Sequence, residues 1–483
     1  MSEDAATEEI RDAEAERIAR LEARNRLLEH QLDYSRAELL HLVHEREKMV
    51  YSAAFLIFRP LRRFEAALVD RVTALARRLS PRPPRPAPPA AAAPPIAAQC
   101  ALPARRLLID VTGTVKQQKG TGIERVVRKV TQALGEDRDV ALPVLPVRCE
   151  DGGLFTCRAF VAELRGETSA AADEEVAIEP GDRFFMLSDS WNVFDDFASV
   201  LARIHAGGGE IVSCIFDLIP ALHPHACHEV TPPRYEAWLA RALIESDAFL
   251  AISRTVAEEL ANHVETQGLP HRPGLKIGWF HCGSDISSGP AKPPRAKIAA
   301  ATAGGAPMFL CVGTIEPRKG QRVALRAYEA LWREGRDLRL VFVGRRGWLE
   351  EAICAEILGH AEFGRRLFWF DDASDDDLAF LYDHARAALA PSFAEGFGLP
   401  IAEAARRGRP AICSDIPVFR EVGGEGAIYF PVNDPRALAA RIVDFLEGRV
   451  AGDPAAISRV SWAEAARRIV DVIAKEDWSR RLT

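Results

Sequence analysis

From residue 106 the chain alternates short apolar runs with amphipathic stretches, breaks off near residue 287, and starts the same alternation again at residue 308. The runs RLLIDV (106–111), RFFMLS (183–188), EIVSCIF (210–216) and DAFLAIS (247–253) are too short for helices and read as buried strands. Helical segments separate several of them, one starting near Gly122. After the soft stretch SSGPAKPPRAKIAAATAGGAP (287–307), strands are predicted at 308–313, 338–344, 366–370, 387–391, 410–413 and 427–430. Helices are predicted over 320–334, 348–358, 375–384, 400–407 and 434–447. A strand that returns through a crossover helix returns parallel, so each half predicts a parallel sheet covered on both faces. The expected class is α/β, with two doubly wound, Rossmann-like domains facing a cleft. In such sheets ligands bind at the carboxyl ends of the strands.

The first hundred residues follow other rules. Residues 81–95 read PRPPRPAPPAAAAPP, eight prolines in fifteen positions, a semi-rigid extended spacer. Before it, residues step by three and four through Ile18, Leu21, Asn25, Leu28, Leu32, Ser35, Leu39, Leu42, Arg46 and Met49. A seam of that length predicts a coiled coil, with Asn25 favouring a two-stranded, in-register homodimer, or else, given the polar Ser35 and Arg46, a helix folded back onto the globular part. Residues 50–79 join the apolar VYSAAFLIF to six arginines, a pattern that suits a helix on an anionic membrane face or docked on protein. The expected divisions are 1–80, a linker over 81–104, domains over 105–286 and 308–450 joined by 287–307, and a closing segment over 451–483.

Composition narrows the function classes. With 62 basic and 69 acidic residues the net charge is 62 − 69 = −7, and no basic excess points to nucleic acid. Nine scattered cysteines without a CxxC pair argue against a disulfide framework or a zinc knuckle. The acidic MSEDAATEEI is not expected to be a secretory signal, and no apolar run approaches the ~20 residues of a membrane span. The expected location is cytoplasmic, with peripheral attachment to the inner face of the membrane through residues 50–79.

The unusual residues of the second half follow its strands. TIEPRKG places Arg318 and Lys319 at the mouth of the sheet, just before a helix N-terminus. Two cations there are costly unless an anion joins them, and a diphosphate fits. SFAEGFGLPIAE supplies Gly396 and Gly398 for a tight turn, with Glu395 in the loop and Glu403 eight positions later on the next helix. Both carboxylates are expected to face one cleft, where they suit hydrogen bonds from sugar and ribose hydroxyls.

CVGTIEPRKG, PSFAEGFGLPIAEA and SDIPVFREVGG together resemble glycosyltransferase family 4, retaining enzymes of the GT-B fold. The Glu395–Glu403 spacing matches the family's E-x7-E pattern, and SWAEAARRI resembles its closing helix. The resemblance covers roughly 105–475 and is most specific over 308–430, while DVTG and GTGIERVVR resemble a bacterial subgroup that builds surface polysaccharides. It implies that Lys319 and Arg318 neutralise the donor diphosphate, that Glu395 binds hydroxyls of the transferred sugar, and that Glu403 holds the ribose. Backbone N–H groups of Phe397, Gly398 and Leu399 would meet phosphate; read from the residues alone, Gly120 and Gly122 follow a strand and open a helix, which places them near the diphosphate from the other side or in an ordinary tight turn. The substrates implied are a nucleotide sugar carrying a mannose- or rhamnose-like hexose and a glycan or lipid-linked acceptor, with no metal or other cofactor.

In one place the chain departs from the family, which often carries a histidine where this sequence has Phe216; Asp217 beside it is the candidate there, or else a loop-capping carboxylate. His223, His225 and His228 fit no standard metal spacing and read as an acceptor-side loop. Asp189 and Trp191 either face the acceptor or make an ordinary turn, and Asp285 is equally open. Two rival functions share this sequence: a nucleotide-sugar 2-epimerase, and a non-catalytic scaffold organised by the coiled coil.

Overall fold

The structure is a computed structural model, and it describes residues 105–117, 121–137, 140–169, 171–286, 293–347 and 351–483. The coiled coil, the basic helix, the proline spacer and Gly120 lie outside the described residues.

Two sheets organise the rest. The first runs β14-β7-β6-β5-β4-β1-β2-β3, from β1 (Leu107–Asp110), β2 (Val144–Glu150), β3 (Gly153–Thr156), β4 (Arg183–Met186), β5 (Glu210–Ile215), β6 (Ala248–Ala251), β7 (Lys276–Trp279) and β14 (Arg480–Arg481). The second runs β10-β9-β8-β11-β12-β13, from β8 (Met308–Val312), β9 (Arg339–Val343), β10 (Leu367–Phe370), β11 (Ala387–Ala390), β12 (Ala411–Ser414) and β13 (Ile428–Phe430), and is parallel throughout. Strands such as LLID and AALA are buried along their whole length, because helices cover both faces of a parallel sheet.

The first sheet is not parallel throughout, contrary to the expectation. β2 and β3 form an antiparallel hairpin, and β14 lies antiparallel to β7. Asp151 (φ 48°) and Gly152 (φ 73°) make the hairpin turn, both in the left-handed region such turns require. Pro146 hides β2 from a sequence reading; the strand tolerates it because β3 pairs only with Val147–Glu150, leaving residue 146 without a partner on that side. The stretch 287–307, read as a soft connector, carries the helix Ala296–Thr302, whose Ile298 and Ala301 are buried with Phe368 and Leu381.

The helices start where the sequence offers caps. Ser253 opens Arg254–Gln267, and Ser374 and Ser461 form capping boxes at Asp375–His384 and Trp462–Lys475. One hydrophobic cluster runs between the sheets, joining Ile109, Phe185 and Leu250 of the first to Phe397, Ile401 and Phe419 of the second. The helix Trp462–Lys475 returns from the second sheet to pack on Gly122–Glu136 of the first. Among the described residues no helix is long and apolar enough to cross a membrane.

Candidate active site

In the second sheet the chain goes out from β8 to β9 and β10, then returns to place β11 on the other side of β8. The loops after β8 and β11 therefore diverge and leave a crevice, the usual ligand position of such sheets. The first loop carries the turn Pro317–Lys319; the second carries Ser392 to Gly398.

Their side chains form one charged cluster. Lys319 Nζ lies 2.7 Å from Glu395 Oε1, Arg318 Nη1 lies 3.0 Å from Glu395 Oε2, and Ser392 Oγ donates to Oε1 at 2.7 Å. Arg318 Nη2 also reaches Glu316 Oε1 at 2.7 Å, and the Phe393 N–H donates to the Arg318 carbonyl at 2.9 Å, stitching the loops together. Burial by itself would raise the Glu395 carboxyl, but Lys319 and Arg318 hold it down at about 2. Burial works against the Arg318 charge too, and Glu316, Glu395 and Asp217 more than offset it. Glu316 is pushed up by burial, with Arg318 and Lys319 opposing.

The first domain meets this loop through Phe216 and Asp217. Ser253 Oγ donates to the Gly396 carbonyl at 2.7 Å. Asp217 Oδ1 accepts from the Ile219 N–H at 3.0 Å, the loop-capping role, and its backbone carbonyl accepts from Tyr235 at 2.6 Å. Burial raises the Asp217 carboxyl, and the nearby Arg318 opposes the rise. Asp217 thus caps a loop and also senses the cluster's cations.

Past the second loop, Gly398 adopts φ +96° and starts the helix Leu399–Arg406. A side chain there would be strained and would also meet the Phe419 ring at 2.7 Å. Phe397 is buried beside His281, with ring centroids 5.3 Å apart. The N–H groups of Phe397, Gly398 and Leu399 precede the first hydrogen-bonded turn, where helices leave donors for ligands.

Glu403 corrects the expectation of a carboxylate on an open cleft beside Glu395. It is 3% exposed and uses other partners: Tyr382 donates to Oε2 at 3.0 Å, and Arg125 Nη1 of the first domain stands 3.4 Å from Oε1. Burial raises its carboxyl, with Arg125 opposing. Lying one helical turn inside the domain seam, Glu403 is covered by the opposite domain.

The remaining candidates fall in several places. A Cβ at Gly122 would meet nothing within 4 Å, so packing does not require glycine there. His223 and His225 form a ring cluster with Phe393, His225 lying within 14° of parallel to it at 6.0 Å. His228 makes no ring contact with them, and among the described residues no group of His, Cys, Asp or Glu has metal-binding geometry. Asp189 packs where a Gly113 Cβ would lie, Trp191 packs against the core of the first sheet, and Asp285 accepts from the Trp462 N–H at 2.8 Å. Sequence reasoning missed Arg125, Tyr382 and Glu421. Glu421 accepts from the Arg254 and Thr255 N–H groups (2.8 and 2.7 Å), Thr255 Oγ1 (2.6 Å) and His281 Nε2 (2.7 Å), so it caps a helix of the other domain. Its place in FREVGG was the only signal, and nothing local distinguishes it from a surface glutamate.

Two Rossmann-like domains with a basic pair and a glycine-containing loop at the switch point have the GT-B architecture. Residues 295–469 match the family described as glycosyl transferases group 1. The serotype-specific mannosyltransferase WbdA of Escherichia coli is 30% identical over 347 residues, 71% of this chain and 43% of that protein. The O-antigen chain mannosyltransferase B of Escherichia coli is 39% identical over 142 residues, 29% of this chain and 36% of that one. The chain thus spans less than half the length of these curated relatives. The crystal structure of Anabaena Alr3699/HepE with UDP-glucose is 14% identical, with a TM-score of 0.49 over 77% of this chain and 97% of that one.

Proposed function

We propose that the chain is a retaining hexosyltransferase that moves a mannose-like sugar from a nucleoside diphosphate to a growing surface polysaccharide or lipid-linked glycan. The observation that carries this reading is the Lys319–Glu395–Arg318 cluster at the β8/β11 switch point. In the structure Glu395 neutralises both cations. A donor would give Glu395 sugar hydroxyls to accept, and the cations would turn to the diphosphate, whose charge grows as the glycosidic bond breaks. Preorganised charge aimed at such a leaving group is typically the largest catalytic contribution. Glu403 is the ribose carboxylate in this reading, and the N–H groups of Phe397 to Leu399 meet phosphate. No role is given to a metal. The mannosyltransferases among the relatives support the choice of sugar and of transfer over 2-epimerisation, and a scaffold would have no use for the charged cluster.

A thermal-shift screen against GDP-mannose, dTDP-rhamnose, UDP-glucose and ADP-glucose tests the donor. A ligand at a hundredfold excess over its Kd adds about 2.7 kcal/mol, which is readily seen. The expected result is stabilisation by one donor, and an α-linked product from an α-donor on NMR. No stabilisation by any of the four, or a 2-epimerised sugar from donor alone, overturns the reading.

The homodimer, the contact with anionic membrane and the cytoplasmic location belong to the same proposal and rest on residues 14–79. A chain lacking residues 1–101 should be monomeric in light scattering and should not float with anionic liposomes, while the full chain should dimerise and float. Equal behaviour of the two chains overturns this part.

A further inference from the structure

Arg125 stands on the first turn of the helix Gly122–Glu136, and its guanidinium crosses from the first domain to the second. Nη1 lies 3.4 Å from Glu403 Oε1 and Nη2 lies 3.5 Å from Asp375 Oδ1, both ion-pair contacts without hydrogen-bond geometry. Nε and Nη2 are buried and have no hydrogen-bond partner. A buried donor left unmade is destabilising, more so on a charged group, so such sites in native proteins call for an explanation. Burial works against the Arg125 charge, and the neighbouring carboxylates keep it.

The chemistry of the missing partner follows from the neighbours. A guanidinium offers its donors as a planar fork, which matches phosphate oxygens. Glu403, at the same spot, accepts hydroxyls. A ribose and its phosphate are covalently adjacent, so one nucleotide can present hydroxyls to Glu403 and phosphoryl oxygens to the fork. We infer that Arg125 is the first domain's contact to the donor's phosphate, its two unmatched N–H groups bonding phosphoryl oxygens while the ribose takes Glu403. Without donor, Arg125 rests on Glu403 and Asp375 and ties the domains directly. With donor, the same side chain ties them through the ligand and faces Lys319 and Arg318 across the diphosphate. The inference rests on the nucleotide-sugar reading above.

The test separates phosphate from nucleoside. GDP, UDP, ADP and dTDP are titrated by calorimetry beside guanosine, uridine, adenosine and thymidine, on the wild type, Arg125→Gln and Arg125→Lys. For the diphosphate that binds, Arg125→Gln should weaken binding at least tenfold and leave its nucleoside within about twofold; Arg125→Lys should recover part of the loss. Unchanged diphosphate affinity, or an equal loss for diphosphate and nucleoside, overturns the assignment, the second outcome meaning a structural tie alone. If Arg125→Gln does not fold, Arg125→Lys carries the test, because it keeps the charge and loses the fork. If the wild type binds none of the four diphosphates, the nucleotide-sugar reading falls, and Arg125 with it. If the wild type binds and the variants match it, only the Arg125 assignment falls.

Discussion

Gly396, in the loop after β11, is pressed against Phe216 at the end of β5: a Cβ on Gly396 would lie 2.0 Å from the Phe216 carbonyl oxygen. The obstacle is backbone, so no rotamer change relieves it. Gly396→Ala must push its loop away from Phe216, and so away from Ser253, which donates to the Gly396 carbonyl at 2.7 Å from the loop after β6. The expected cost is about 1–3 kcal/mol by urea titration, the usual cost of overpacking, together with a lower kcat. A stable, fully active Gly396→Ala would mean that the domains do not work in this contact.

Under the proposed function, Lys319, Glu395 and Glu403 should fail in different ways. Lys319→Ala removes charge aimed at the departing diphosphate, so kcat should fall ~10²–10³-fold. Glu395→Ala touches the transferred sugar, so kcat should fall while the free diphosphate still binds. Glu403→Ala removes a ground-state contact and should mainly raise the donor KM. Because Glu403 is covered by Arg125 and Tyr382, its removal should also lower stability, by about 1–3 kcal/mol. Steady-state kinetics and urea titration read all of these. Near-wild-type turnover in both Lys319→Ala and Glu395→Ala defeats the catalytic assignment.

Acid should loosen the domains through Glu421. Burial would raise its carboxyl, but His281, Thr255 and the Arg254 N–H hold it at about 2, below its ordinary 4.5. A depressed carboxyl stabilises the fold above the unfolded value and loses that contribution as pH falls through the folded one. Stability should therefore drop between about pH 5 and pH 2, with Glu395 contributing over the same range. Glu421→Gln should be about 1–3 kcal/mol less stable at pH 7 and show a shallower acid slope. Urea titrations at pH 7, 5 and 3 decide it; an unchanged slope removes Glu421 from the account.

Asp217 should show the opposite sign. Its carboxyl is raised by burial, so its ionisation costs stability as pH rises through the folded value. Asp217→Asn should then be at least as stable as the wild type at pH 7, by thermal denaturation. If Asp217 serves the reaction, kcat falls at the same time; unchanged kcat leaves it only the cap it makes to Ile219.

The sequence by itself determined most of the strands and helices, and which of their loops carry the charged residues of the candidate site. Short apolar runs such as LLID and AALA read as buried strands and are buried along their whole length, because burial pattern depends on neighbours a few positions away. That Arg318, Lys319 and Glu395 sit on loops following strands was legible for the same reason, since strand, loop and helix follow one another along the chain. Pro146 disguised β2, and only the short reach of β3 explains why it is tolerated. What tertiary structure decided lies between the domains. Arg125 and Glu403 are 278 positions apart in sequence and 3.4 Å apart in space, and Glu421 caps a helix that begins at Arg254. Such pairings depend on how two sheets pack through a shared core. No local propensity records them, because a buried arginine and a surface arginine differ only in what the rest of the chain brings against them.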